Sequence, residues 1–240
     1  MVQSPGHTVK SFDDDLRQLR SLISQAGGLA EAQIIAAIDA LKNRDAEAAL
    51  RVVEEDKRID ALEVEAERLA VRTIALRAPM ADDLREIIAA LKISAILERI
   101  GDYAKNIAKR ATVLAQGSAI EPLVIMPEMG RTVARMVKDA LDAYVDRDPE
   151  LARAVCQRDK DVDDFYNSIF RSLLTYMMEN PHHITPSTHL LFIAKNLERI
   201  GDHATNVAEM VHFSVTGEHI GERPKGHDAV LDTMGPEGDA

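Results

Sequence analysis

Eight carboxylates stand out in this sequence because they recur in pairs four residues apart. Glu98 and Asp102 lie one helical turn from each other with Asn106 a turn further, and Glu198, Asp202 and Asn206 repeat the arrangement. Asp56 with Asp60, and Asp159 with Asp163, form two more such steps. Where neighbouring helices run antiparallel, each Asp–Asp step could face a Glu–Asp step, giving two quartets. Four carboxylates gathered on two helices repel one another unless a cation sits among them. All-oxygen donors suit Mg, Mn, Ca or Fe better than zinc, which prefers thiolate and imidazole. Metal binding is the chemistry these residues are equipped for. The competing reading is an ordinary solvated acidic surface with arginine partners, and duplication of the pattern weighs against it.

Positioning these side chains falls to helices. The word LERIGDYAKNIA at residues 97–108 returns as LERIGDHATNVA at 197–208, and DKRID at 56–60 returns as DKDVD at 159–163. Arg44-Asp45 likewise returns as Arg147-Asp148. Helical periodicity runs from about Ser11 to Val215 and predicts six helices: about 11–42, 46–77, one ending near Gln116, 128–148, one ending near Glu179, and 187–215. Gly27-Gly28 marks a weak point in the first; Pro79, Gly117, Pro122, Pro127, Pro149 and Asn180-Pro181 mark the breaks. At 100° per residue, Ile93, Leu97, Ile100, Ala104 and Ile107 fall opposite Glu98, so the acids are expected to point outward. The fold expected is all-α: two tandem antiparallel three-helix bundles related by internal pseudo-symmetry, residues 1–119 and 120–216, with a disordered tail over 217–240.

Composition agrees. Aromatics are 4% and Trp is absent, so the apolar residues are mostly helix formers rather than sheet formers. A net charge of −11 argues against a bare nucleic-acid binder, which needs surplus basic side chains. The single cysteine, Cys156, cannot close an intramolecular disulfide, and the N-terminus lacks an apolar signal segment; a cytoplasmic protein without a transmembrane segment is expected.

Other residues carry less. Arg99 and Arg199 are expected to pair with acids on an adjacent helix, and Gly101 and Gly201, unfavourable inside helices, to mark close packing. His182, His183 and His189 read as loop residues, Cys156 as a small helix residue, and Met177, Met178 and Met210 as parts of apolar faces. No catalytic residue and no phosphate-cradling glycine loop can be named.

The paired words around Glu98 and Glu198, with those around Asp56 and Asp159, resemble the PhoU family of phosphate-uptake regulators. The resemblance covers nearly all of the chain outside the tail. It implies metal ligation by Asp56, Asp60, Glu98 and Asp102 in one half and Asp159, Asp163, Glu198 and Asp202 in the other, with Asn106 and Asn206 as further candidates. The implied metal is multinuclear iron or another divalent ion, with Fe, Mn, Mg and Zn not distinguished. It also implies a non-enzymatic, homodimeric cytoplasmic adaptor, peripheral to the inner membrane through its partners. That adaptor would link the ATPase subunit of a phosphate ABC transporter to a phosphate-sensing histidine kinase, restraining uptake and the starvation response. The alternative is a ferritin-like carboxylate metalloprotein with storage or redox chemistry, whose Glu-x-x-His step is missing here in both copies. A helical adaptor without metal is the third reading.

Overall fold

The structure, a computed structural model, describes residues 10–117 and 125–221. Pro122 and nearly all of the expected tail lie outside the described residues. Among those described there are eight α-helices, one short 3-10 turn (Pro181–His183) and no strand. The first half comprises α1 (Lys10–Asn43), α2 (Ala46–Glu55), α3 (Lys57–Arg77) and α4 (Asp82–Ala115); the second comprises α5 (Met126–Asp146), α6 (Pro149–Gln157), α7 (Asp159–Glu179) and α8 (Ile184–Thr216). Each half is thus three helical legs, as the periodicity predicts, but the middle leg is broken in both halves. Asp56 interrupts the first and Arg158 the second. Periodicity runs through a one-residue break without a change of face, which is why the sequence shows one long helix there.

Both middle legs open with the same device. Arg44 and Arg147 take left-handed backbone angles (φ 57° and 53°) and reverse the chain. The next residue then caps a helix: the Asp45 carboxylate accepts from Ala48 N–H, and that of Asp148 from Glu150 and Leu151 N–H. The side chains of the two arginines then diverge. Arg44 bonds the last carbonyls of α4, at Leu114 and Ala115, and that of Gly117 just beyond it. Arg147 crosses to the first turns of α4, where it meets Glu86 at 2.5 Å; Arg20 holds the other Glu86 oxygen at 2.6 Å. Glu86, buried on α4, is thereby tied to α1 and to the end of α5.

The halves share one core. α4 packs on α1, α3 and α8, and α8 packs on α4, α5, α6 and α7. Ile93, Leu97, Ile100 and Ile107 are fully buried, as are their counterparts Ile193, Leu197, Ile200 and Val207. Across the pseudo-twofold, α1 and α5 approach through a reciprocal pair. A Cβ on Gly27 would lie 2.3 Å from the Leu141 side chain, and one on Gly130 would lie 2.7 Å from Ile38. Gly27 is therefore a contact point, and α1 runs through it unbroken. The α1 segment between Arg20 and Lys42 carries only Glu31 and Asp39, making it long and apolar enough by composition to cross a membrane; half of that stretch is buried inside the protein.

Candidate functional site

In the first half the break between α2 and α3 decides the geometry. Asp56, its one turn residue, is 1% exposed, which corrects the expectation that all the acids point outward. Gly101 makes the inward turn possible: a Cβ there would sit 2.9 Å from Ile59 Cδ1, 3.1 Å from Asp56 Oδ1 and 3.4 Å from Gln33 Oε1. A buried carboxylate needs a cation, and Lys105 of α4 supplies it. Its Nζ lies 2.6 Å from Asp56 Oδ2 and 3.1 Å from Asp102 Oδ1, spanning the gap between the middle leg and α4. The bond to Asp56 raises the Lys105 pKa further above its usual range, with Asp102 adding to it. The two steps of this quartet do face each other.

The rest of the quartet carries uncompensated charge. Asp60, exposed on α3, has a raised pKa from partial desolvation and from Asp56 and Asp102, with Lys105 opposing. Glu98 is raised by desolvation, then by Asp102, Glu63 and Asp60. Glu63, one turn beyond Asp60, is raised by desolvation, Glu67 and Asp60.

The second half is built differently. Glu198 is half-buried, its side chain 15% exposed, and Lys195 from the same helix meets its Oε1 at 2.6 Å. Its Oε2 is buried with no hydrogen-bond partner among the described residues. Burial raises the Glu198 pKa; Lys195 opposes, while Asp202 and Asp163 reinforce. Lys195 also lies 5.1 Å from the centre of the Tyr166 ring. Asp159 opens α7, half-buried, with Asp163 a turn later. Thr205 occupies the place that Lys105 holds in the first half; it is fully buried and its hydroxyl donates to the Asp202 backbone carbonyl at 2.7 Å. Asn106 is exposed and Asn206 half-buried.

These donors fit a hard cation by type: every candidate atom is a carboxylate or amide oxygen, and Glu198 Oε2 is a buried acceptor awaiting a partner. Among the described residues no three His, Cys, Asp or Glu side chains already converge in a metal-binding arrangement. Ligation would require side chains to swing, in the first half away from Lys105.

Three participants escaped the sequence reading. Lys105 and Lys195 are each three residues from an acid on the same helix, a spacing legible in advance, but the reach of Lys105 to Asp56 depends on the inward break. Glu63 follows Asp60 by three and belongs to the same face.

The remaining candidates lie elsewhere. Among the described residues neither Arg99 nor Arg199 pairs with an acid. The Arg199 guanidinium lies 5.8 Å from the centre of the Tyr103 ring, which meets its counterpart His203 edge-on at 5.3 Å where α4 crosses α8. The pseudo-twofold brings the equivalent residues Tyr103 and His203 together there, and Arg199 faces the Tyr103 ring instead of a carboxylate. Burial lowers the His203 pKa, with Arg99 adding to it. Gly201, like Gly101, packs against the middle leg: a Cβ would lie 3.2 Å from Val162 Cγ1. Cys156 is buried, His183 stacks on Tyr176 at 3.8 Å, and His189 Nδ1 lies 3.4 Å from Arg110. Met178 is 86% exposed rather than part of an apolar face.

Comparison with known proteins agrees with this duplicated architecture. The family described as PhoU domain matches twice, at residues 23–111 and 126–211. A phosphate-specific transport system accessory protein PhoU homolog from Zymomonas mobilis is 56% identical over 223 residues, covering 93% of this chain and 94% of its own. The crystal structure of PhoU from Pseudomonas aeruginosa superposes with a TM-score of 0.84 at 41% identity, covering 86% of this chain and 100% of its own. The phosphate transport system regulatory protein PhoU from Streptococcus pneumoniae gives 0.81 at 28% identity, over 87% and 99%.

Proposed function

The chain belongs to the PhoU family, and from that premise we propose that it is an accessory, regulatory protein of a phosphate-specific transport system, acting by contact rather than catalysis. The observation that carries the reading is the extent of the likeness, which runs through both repeats and covers 93% of the chain in the Zymomonas relative. In this reading the protein works on the cytoplasmic side as a homodimer. It joins the transporter's ATPase subunit to a phosphate-sensing histidine kinase and holds both uptake and the starvation response down while phosphate is plentiful. A relay of this kind works through different affinities for two states of its partners.

The quartets are the proposed metal-binding elements. Asp56, Asp60, Glu98 and Asp102, and Asp159, Asp163, Glu198 and Asp202, supply oxygen donors, with Asn106 and Asn206 at their margins. A bound divalent ion, iron among the candidates, would neutralise the repulsion among these acids. The ferritin-like alternative has little to stand on: Gly101 and Gly201 occupy the positions where a Glu-x-x-His step would place its histidines.

The test is genetic. Deleting the gene in its own host is expected to raise phosphate uptake and to switch on a starvation-responsive phosphatase in phosphate-replete medium, and a plasmid copy to restore both. Unchanged uptake and phosphatase in the deletion strain would sink the proposal.

A further inference from the structure

We infer that the crossing of α4 and α8 holds a binding site for a phosphate-class oxyanion, gripped by Arg99 and Arg199 over the rings of Tyr103 and His203. The site is separate from the proposed metal ligands and goes beyond the regulatory role proposed above.

Spacing places the four residues. Arg99 precedes Tyr103 by four residues on α4, and Arg199 precedes His203 by four on α8, so each arginine stands one helical turn from the ring on its own helix. The two helices meet at these rings, edge-on at 5.3 Å, and the Arg199 guanidinium lies 5.8 Å from the centre of the Tyr103 ring on the facing helix. The pseudo-twofold sets Arg99 on the side of His203 in the same way, and its charge reaches the imidazole. A guanidinium beside a ring keeps its edge donors free, and that planar fork of N–H groups matches two oxygens of a phosphate. The rings thus make a floor, and two forks about one turn (~5.4 Å) apart along the seam can converge on one tetrahedral anion.

Electrostatics select an anion. Both arginines are exposed, and neither has an acid partner among the described residues. Asp202 is the acid whose charge reaches His203; Arg99 outweighs it there, and Arg199 adds to Arg99. Asp102, on the neighbouring face of α4, is engaged by Lys105. The crossing is therefore locally positive on a chain of net charge −11. His203 Nδ1 is buried and makes no hydrogen bond of ordinary geometry among the described residues, so the cluster lacks an acceptor as well as a counter-ion. Further along the seam Arg110 is already covered, 4.1 Å from the centre of the Phe192 ring and 3.4 Å from His189 Nδ1. A positive spot this short suits a small dianion, whereas an acidic peptide needs a longer stripe.

The experiment is a calorimetric titration of the full chain with inorganic phosphate at constant ionic strength in chloride, beside the same titration with sulfate, with circular dichroism as the check on folding. One saturable site is expected. Arg99→Gln and Arg199→Gln are each expected to weaken it at least about tenfold, and Arg199→Lys, which keeps the charge and loses the fork, by a smaller factor. Arg68→Gln, which removes an exposed arginine of α3, is expected to leave it unchanged. Saturation by sulfate with the same arginine dependence supports the site and widens it to tetrahedral dianions from any source; saturation by phosphate alone supports it and narrows it. No saturation by either anion up to about 20 mM, or saturation undiminished in both Arg→Gln variants, overturns the inference and leaves the family reading in place.

Discussion

The two halves of this protein carry nearly the same words and stabilise them in different ways. In the first, a buried aspartate at a helix break is held by a lysine reaching across from α4; in the second, a glutamate on α8 is held by a lysine one turn away on the same helix. The cations therefore stand at opposite ends of the two quartets. The ties between halves are one-sided as well. Glu86 near the start of α4 is gripped by Arg20 and Arg147, while Pro186 stands at the matching place in α8. Duplication has kept the scaffold of aliphatic positions and glycines, and divergence has acted on the charged residues around it.

That comparison can be broken most forcefully at Glu86. Glu86→Ala removes the buried carboxylate that two partly exposed arginines share, and the expected loss is about 3 kcal/mol in urea unfolding. A loss below about 1 kcal/mol would mean the halves are joined by their apolar core alone. Next come the lysines. Lys105→Met strands the buried Asp56 and is expected to lower stability by about 2–3 kcal/mol, whereas Lys195→Met, which strands a less buried carboxylate, is expected to lower it by about 1 kcal/mol. Equal losses would erase the distinction between a lysine spanning two helices and a local one.

The glycines sharpen the contrast further. Gly101→Ala drives a methyl to 2.9 Å from Ile59 and 3.1 Å from Asp56, and is expected to destabilise by about 1–2 kcal/mol despite the better helix propensity of alanine. Gly201→Ala meets Val162 at 3.2 Å, and there the strain and the propensity gain of about 1 kcal/mol nearly cancel. Thermal melts of both variants give the sign. The smallest difference is expected at the caps. Asp45→Ala and Asp148→Ala should each cost about 1 kcal/mol, with the second larger because Asp148 receives two backbone N–H groups and Asp45 one.

Much of the fold was legible in the sequence because periodicity and repetition report on the same aliphatic faces. Ile93, Leu97, Ile100 and Ile107, read as core, are all fully buried. The breaks at Asp56 and Arg158 were not legible: an aspartate next to a lysine and an arginine looks like any solvated helix surface. Gly27 was misread for a related reason. A glycine in a helix signals either weakness or close approach, and only the position of Leu141 on a distant helix tells them apart. The site was legible as residue types and spacings, while its electrostatic pairing depends on the inward turn of Asp56 and the reach of Lys105 across to it.

The shared packing of α4 and α8 has a consequence for synthesis on the ribosome. α4 is complete at Ala115, and α8, which covers one of its sides, ends at Thr216. At about 5–20 residues per second, the intervening stretch of roughly 100 residues leaves that side of α4 bare for about 5–20 s. Through that interval the nascent first half can close its own three legs, with Arg44 already bonded to the last carbonyls of α4, while its α8-facing flank stays open to chaperones or to a neighbouring nascent chain.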